Sequence, residues 1–306
     1  MVFTNEIDTV WTMKNTMVIS RERQGELFVL GEAFLWGMVP IVSIFSFSFL
    51  PPLFVLAGAT FFSSVFFAVI VTIQKTWGAF RIVAAWKYIF LNTGIVGIGY
   101  FSVFFLGLQY TTAGNASIFA LFEVFFTFLL FSIWKRDSQQ KTHALGAVFM
   151  LIGAVLILFP GEFHVQKGDL LIILATMLPP LGNYFQKEAR KLVSAPFLLF
   201  IRSFISVFFL FFLASFVNSI PEISAMWKVL PVLILNGVFL FGLRNIFWVE
   251  ALFRISISKT LALSSVAPLF TLIFSFFLLG EIPSIWQIGG LVPIMIGVYF
   301  LTKNSE

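Results

Sequence analysis

The chain has 306 residues, 59% of them hydrophobic and 11% charged, with a mean hydropathy of +1.01. A soluble domain carries about 25% charged residues, so this composition excludes an ordinary water-soluble fold and points to a protein that lives in lipid. The net charge of +5 is scattered through short loops rather than gathered for nucleic acid, and the absence of cysteine excludes disulfides, thiolate metal sites and cysteine nucleophiles.

Residues 1–25 are polar and aperiodic and are expected to form a cytoplasmic tail, in which Met13 or Met17 could be the true start. The first apolar run, 27–47, lacks a small-residue cleavage pattern and is expected to stay as a helix rather than leave as a signal peptide. It carries Glu32, then Trp36-Gly37 and Pro40. Run 53–73 follows Pro51-Pro52, and run 88–108 follows a basic loop and contains Asn92, Gly94, Gly97 and Gly99. Those glycines suit close helix contact better than a phosphate loop, since no lysine or strand-to-helix context accompanies them. Run 112–133 holds Glu123 on a stripe with Ala116, Ala120 and Thr127. Run 143–159 comes next. Run 169–186 is interrupted by Pro179-Pro180, Gly182 and Asn183. Runs 197–217, 230–251, 257–279 and 285–302 complete the set, with Arg202, then Asn236, Arg244, Trp248 and Glu250, then Lys259 inside them. Each run is long enough for a bilayer of about 30 Å. An all-α integral membrane protein of ten transmembrane helices is expected.

Short loops set the orientation through their lysines and arginines. With a cytoplasmic amino terminus, fourteen of the nineteen fall inside and only Lys167 and Lys228 outside, while Arg202, Arg244 and Lys259 lie within helices. Both termini are therefore expected in the cytoplasm, with a bacterial inner membrane as the setting.

A shift of 144 positions lays Phe126 on Phe270, Thr127 on Thr271, Asp137 on Glu281, Gly146 on Gly290 and Gly153 on Gly297. Gly25-Glu26-Leu27 likewise matches Gly168-Asp169-Leu170. Two repeats follow, 26–160 and 161–303, each of five helices; an odd number inserts the halves with opposite orientation. The segment 262–301, with Ala267-Pro268-Leu269-Phe270, Leu279-Gly280-Glu281 and Gln287-Ile288-Gly289-Gly290, resembles the end-of-repeat pattern of the EamA family of the drug/metabolite transporter superfamily. Tyr110-Thr111-Thr112-Ala113, Leu121-Phe122-Glu123 and Leu35-Trp36-Gly37 are similar to other family segments, although Val124 replaces the proline expected after the glutamate and Arg136-Asp137 replaces Gly-Glu. The resemblance implies a ten-helix metabolite carrier, commonly an exporter.

Six residues stand out as substrate-binding or coupling positions. An ionised carboxylate in hydrocarbon is expensive, so Glu123 is expected to bind a solute ammonium or take up a proton; the plainer alternative is a structural carboxylate paired with a neighbouring helix. Glu32, one turn from Trp36, suits a cationic or aromatic solute, or else reaches back to the interface. Arg244, roughly 10 Å from the end of its run, could bind a solute carboxylate or phosphate, pair with Glu123 or Glu32, or snorkel. Trp248 lies one turn on and could line the same cavity or be an interfacial aromatic. Asn183, beside the paired prolines, could bind solute polar groups with the carbonyls that the break frees; a plain kink is the alternative. Arg202 and Lys259 are expected to snorkel, Glu250 to be solvated, and Asn92 and Asn236 to join helices by hydrogen bonds.

The expected function is secondary transport of a small metabolite, such as an amino acid or related amphipathic solute, by alternating access. Coupling would come from a proton or a counter-solute, since no nucleotide motif is present, and neither a metal nor another cofactor is implied. A membrane-embedded enzyme acting on lipid-linked substrates would need clustered acids or histidines, and His143 and His164 are the sole histidines. A passive channel would need repeated filter sequences, which are absent.

Overall fold

Side-chain caps and prolines fix where the helices begin. In the computed structural model, which describes residues 20–135, 141–158 and 166–302, Ser20, Thr112, Ser194 and Ser256 each accept a hydrogen bond from the backbone N–H three residues on. Residues 1–19 of the expected tail, the Arg136-Asp137 pair, Pro160, His164 and Lys303 lie outside the described residues.

Every regular element among the described residues is helical. Helix α1 (Arg21–Phe47) is followed by α2 (Pro52–Ile73), a 3₁₀ turn (Thr76–Arg81) and α3 (Val83–Leu108). Next come α4 (Ala113–Ala120), α5 (Phe122–Lys135) and α6 (Lys141–Leu158). The second half holds α7 (Lys167–Ala175), α8 (Pro179–Leu192), α9 (Ala195–Val217) and α10 (Ile223–Arg254). It ends with α11 (Ile257–Ser264), α12 (Ala267–Leu279) and α13 (Ile285–Thr302). Among the described residues, seven helical segments are long and apolar enough to cross a bilayer, and Leu145–Ile157 and Ile285–Phe300 are shorter apolar helices.

The faces are patterned for lipid. On α9, Phe204, Phe208, Phe212 and Phe216 form an exposed stripe, while Arg202, Ser203, Ser206, Leu210 and Ala214 are buried. Along this part of α9 small and polar residues meet neighbouring helices, as expected where helices associate without a hydrophobic drive between them, although Phe104, Phe105 and Phe119 are fully buried elsewhere. α1 packs against α10 and α12, and α8 against α3 and α5. α2 packs against α9 and α10, α9 also against α3, and α6 against α13. The α6–α13 contact is close enough to demand glycine: a Cβ on Gly290 would stand 2.6 Å from the Gly153 carbonyl oxygen, and one on Gly297 2.7 Å from that of Gly146.

Several local expectations change. α1 is unbroken, with Pro40 inside it; Gly37 instead gives close approach, since a Cβ there would lie 2.7 Å from the Phe270 Cβ. The sixth run does break, at residues 176–178, with Pro179 opening α8 where its missing N–H costs nothing. The fourth and ninth runs also break, at Leu121 and at Ser265-Val266. α3 and α10 each carry a π-helical stretch, Thr93–Tyr100 and Asn236–Leu243. Asn236 is fully buried, yet its amide has no hydrogen-bond partner among the described residues, so it does not join helices; Gly237 beside it packs directly on α2.

Candidate functional site

The broken and π-helical segments surround one cavity. Its walls include Glu32 and Trp36 of α1, Tyr100 of α3, Ser117 of α4, Glu123 of α5, and Asn183 and Gln186 of α8. Arg202 of α9, Arg244, Asn245 and Trp248 of α10, Ser264 of α11 and Ser265 just after it complete the polar lining. All six positions singled out from the sequence therefore face the same space.

Arg244 is held by the helix distortion beneath it. Its backbone N–H bonds to the Phe239 carbonyl, five residues back, which leaves the Leu240 carbonyl for its own Nε at 2.8 Å. Nη1 meets Glu32 Oε1 at 2.8 Å, Nη2 donates to Asn245 Oδ1 at 2.9 Å, and the guanidinium lies 4.7 Å from the Trp36 ring centroid. Ser264 Oγ donates to the other carboxylate oxygen of Glu32 at 3.0 Å. Of the pairings open to Arg244, the one with Glu32 is made. Arg244 does not snorkel, and Glu32 does not reach back to the interface: their side chains are 7% and 3% exposed. The reason for the second correction is that α1 starts at Arg21, six residues before the expected run, which puts Glu32 roughly 16 Å into the helix.

Glu123 stands in the first turn of α5, just after the break at Leu121, where a helix start favours negative charge. Asn183 Nδ2 donates to Glu123 Oε1 at 2.6 Å, and Trp248 Nε1 donates to Asn183 Oδ1 at 3.1 Å. Indole, amide and acid thus form a chain across α10, α8 and α5. Trp248 is a wall residue here, not an interfacial aromatic.

Arg202 overturns its expected place. It is buried rather than snorkelling, and its Nη1 donates to Gln186 Oε1 at 3.2 Å. Asn92 does join helices as expected, donating to the Gly182 carbonyl at 3.0 Å and to the same Gln186 oxygen at 3.2 Å. Ser203 and Ser206 share the buried side of α9 with Arg202, a small polar stripe that was readable in the sequence.

Away from the cavity, two clusters close the ends of the bundle. At the end rich in basic residues, Lys259 contacts Glu22 and, at 2.7 Å, Glu26, so it pairs with acids instead of reaching alone into water. Glu250, expected to be solvated, is held between Arg190 at 2.8 Å and Arg254, with its side chain 12% exposed. At the opposite end, Asp169 accepts from Thr111 Oγ1 and, at 3.3 Å, from Asn115 Nδ2; Gln287 Nε2 donates to Asn115 Oδ1 at 2.8 Å. Burial raises the carboxyl of nearby Glu281 above the usual range, against the opposing pull of the Ala113 and Gly114 backbone N–H groups. No group of three or more metal-ligating side chains occurs among the described residues.

A family model described as the EamA-like transporter family matches residues 23–159 and 166–303. The chain is 27% identical over 222 residues to the uncharacterized transporter YyaM of Bacillus subtilis (strain 168), covering 68% of this chain and 71% of that protein. Over 120 residues it is 31% identical to the triose phosphate/phosphate translocator, non-green plastid, chloroplastic, of Brassica oleracea var. botrytis, covering 38% of this chain and 29% of that one. A solved crystal structure shares the fold with a TM-score of 0.66 at 14% identity, covering 90% of this chain and 95% of the other.

Proposed function

The chain belongs to the EamA-like transporter family, a multi-pass membrane protein of that type, and we propose from there that it carries a small metabolite by alternating access as a secondary exporter or exchanger. The observation that carries this reading is the cavity itself. A buried acid, a buried ion pair and two indoles converge where the broken fourth, sixth and ninth runs and the π-distorted α3 and α10 meet the unbroken α1. Residues this costly to hold in a membrane persist where a solute or proton needs them. An amino acid or related amphipathic solute suits both the charges and the aromatic walls, and Glu123 is the group we assign to coupling by a proton or a counter-solute. The name of the plastid relative raises phosphorylated solutes, but Glu123, the wall carboxylate without a cation partner among the described residues, would repel a dianion.

Ten crossings in two inverted repeats, 26–160 and 161–303 after a tail of residues 1–25, form the scaffold of this reading. What supports it is the recurrence of distortions at the shift of 144. The caps Thr112 and Ser256, the breaks at Leu121 and Ser265, and the π stretches from Thr93 and Asn236 coincide within a residue or two. Packing partners exchange in the same way: α1 with α10 and α12 corresponds to α8 with α3 and α5. The basic end faces the cytoplasm of a bacterial cell under the positive-inside rule.

The cavity holds about 70 Å³ of free space and is not sealed from its surroundings. The Lys259 cluster and the Asp169 cluster, both formed here, are the contacts that would open in alternation. Reconstituted vesicles should show saturable, counter-solute-stimulated flux that falls at least about tenfold in Glu123→Gln, the cost of one charged contact. Absence of saturable flux across panels of amino acids, organic cations and phosphate esters would overturn the reading.

A further inference from the structure

The charges in the cavity wall are not evenly matched. Glu32 and Arg244 neutralise each other, and two further donors of Arg244 go to Leu240 and Asn245. Arg202 differs. The residue is 4% exposed, it meets no carboxylate among the described residues, and its one hydrogen bond there goes to a Gln186 oxygen already shared with Asn92. A guanidinium has five N–H donors, so most of its capacity faces no acceptor. Around it, the Gln186 Nε2 amide and the Ser206 hydroxyl are also buried without a partner, against one unpartnered acceptor, Asn92 Oδ1. Three unmatched donor groups, one of them cationic, form a concentration of positive potential that an anion would relieve.

Glu123 is the complement. It accepts one bond from Asn183 and has no cation within ion-pair distance among the described residues. Tyr100, Phe101 and Trp248 line the same cavity. We propose that the cavity takes a zwitterionic solute of the α-amino acid class, with Arg202 binding its carboxylate, Glu123 its ammonium group, and the aromatic wall its side chain. A solute with one charge satisfies one side and leaves the other buried ion uncompensated; a phosphate dianion satisfies Arg202 but is repelled by Glu123. This rests on the transporter reading and narrows it, because Arg202 becomes the residue that separates amino acids from amines.

The test measures binding to the purified full chain, by thermal shift and titration calorimetry, of the twenty common amino acids. Each is compared with its decarboxylated amine and its deaminated acid. At least one amino acid should bind wild type with both matched analogues weaker by about 10–100-fold, the range of a hydrogen-bonded charge contact. Arg202→Gln should abolish the preference over the amine, Arg202→Lys should retain part of it, and Glu123→Gln should abolish the preference over the acid. An amine that binds wild type as tightly as its amino acid, or a preference that survives Arg202→Gln, overturns the proposal. The wild-type comparison decides alone if a variant does not fold. Counterflow in vesicles loaded with the wider panel separates the two levels. If phosphate esters or amines exchange and no amino acid binds, the zwitterion assignment falls while the transporter reading stands; if no solute exchanges, both fall.

Discussion

Two ion pairs of nearly equal length sit in opposite surroundings. At the centre, Glu32 and Arg244 are 2.8 Å apart with side chains 3% and 7% exposed; at the basic end, Lys259 and Glu26 are 2.7 Å apart at 31% and 36%. Distance alone would rank them equal. What separates them is the fate of the charge left behind when its partner is removed: water replaces the partner at the rim, and nothing replaces it at the centre. The central pair is therefore kept against a cost, and the rim pair is kept because it costs little. A contact meant to break and re-form during transport belongs in the second setting, and a fixed electrostatic frame for a solute belongs in the first.

The largest effect should come from breaking the central pair on one side. Arg244→Met leaves Glu32 dry, with Ser264 as its remaining donor, and should destabilise the protein by about 3–5 kcal/mol in detergent unfolding. Adding Glu32→Gln to that variant should recover part of the loss, because no buried charge then lacks a partner. A single variant that unfolds like wild type would erase the contrast between centre and rim.

An intermediate effect is expected at Glu250, which holds Arg190 and Arg254 in a half-dry site. Glu250→Gln keeps the shape and removes the charge, and should cost about 1.5–3 kcal/mol, the range for hydrogen bonds to charged groups. A loss as large as that of Arg244→Met would mean that this cluster belongs with the centre.

The contrast was partly legible in the amino-acid chain. The cavity residues were found because an acid or base deep in an apolar run has few harmless explanations, and because Pro179-Pro180 marks a helix break without tertiary information. Depth was harder. Glu32 looked shallow because hydropathy alone starts the first helix at residue 27, whereas the Ser20 cap starts it at Arg21. Arg202 sits seven residues into α9, within the reach of a snorkelling side chain, so position could not separate the two fates; its burial comes from α3 and α8 packing over it. The π stretches in α3 and α10 depend on how neighbouring helices approach their glycines, and the break at Leu121 contains neither glycine nor proline. Such features are decided by packing rather than by local propensity.

The smallest effect should be at the rim, and its size is the sharpest test of the comparison. Lys259 contacts two acids at once, Glu22 and Glu26, so a count of ion pairs would rank it above the centre. Partial exposure argues otherwise. Lys259→Met should change unfolding stability by no more than about 1 kcal/mol. Wild type and variant should converge further as salt rises toward about 1 M, where screening acts within about 3 Å. The same variant should shift transport more than stability, because a weakened contact at one end alters the balance between inward and outward openings without touching the solute. Unchanged flux together with a loss of several kcal/mol would reverse the assignment, making the Lys259 cluster a structural clasp rather than a contact that opens.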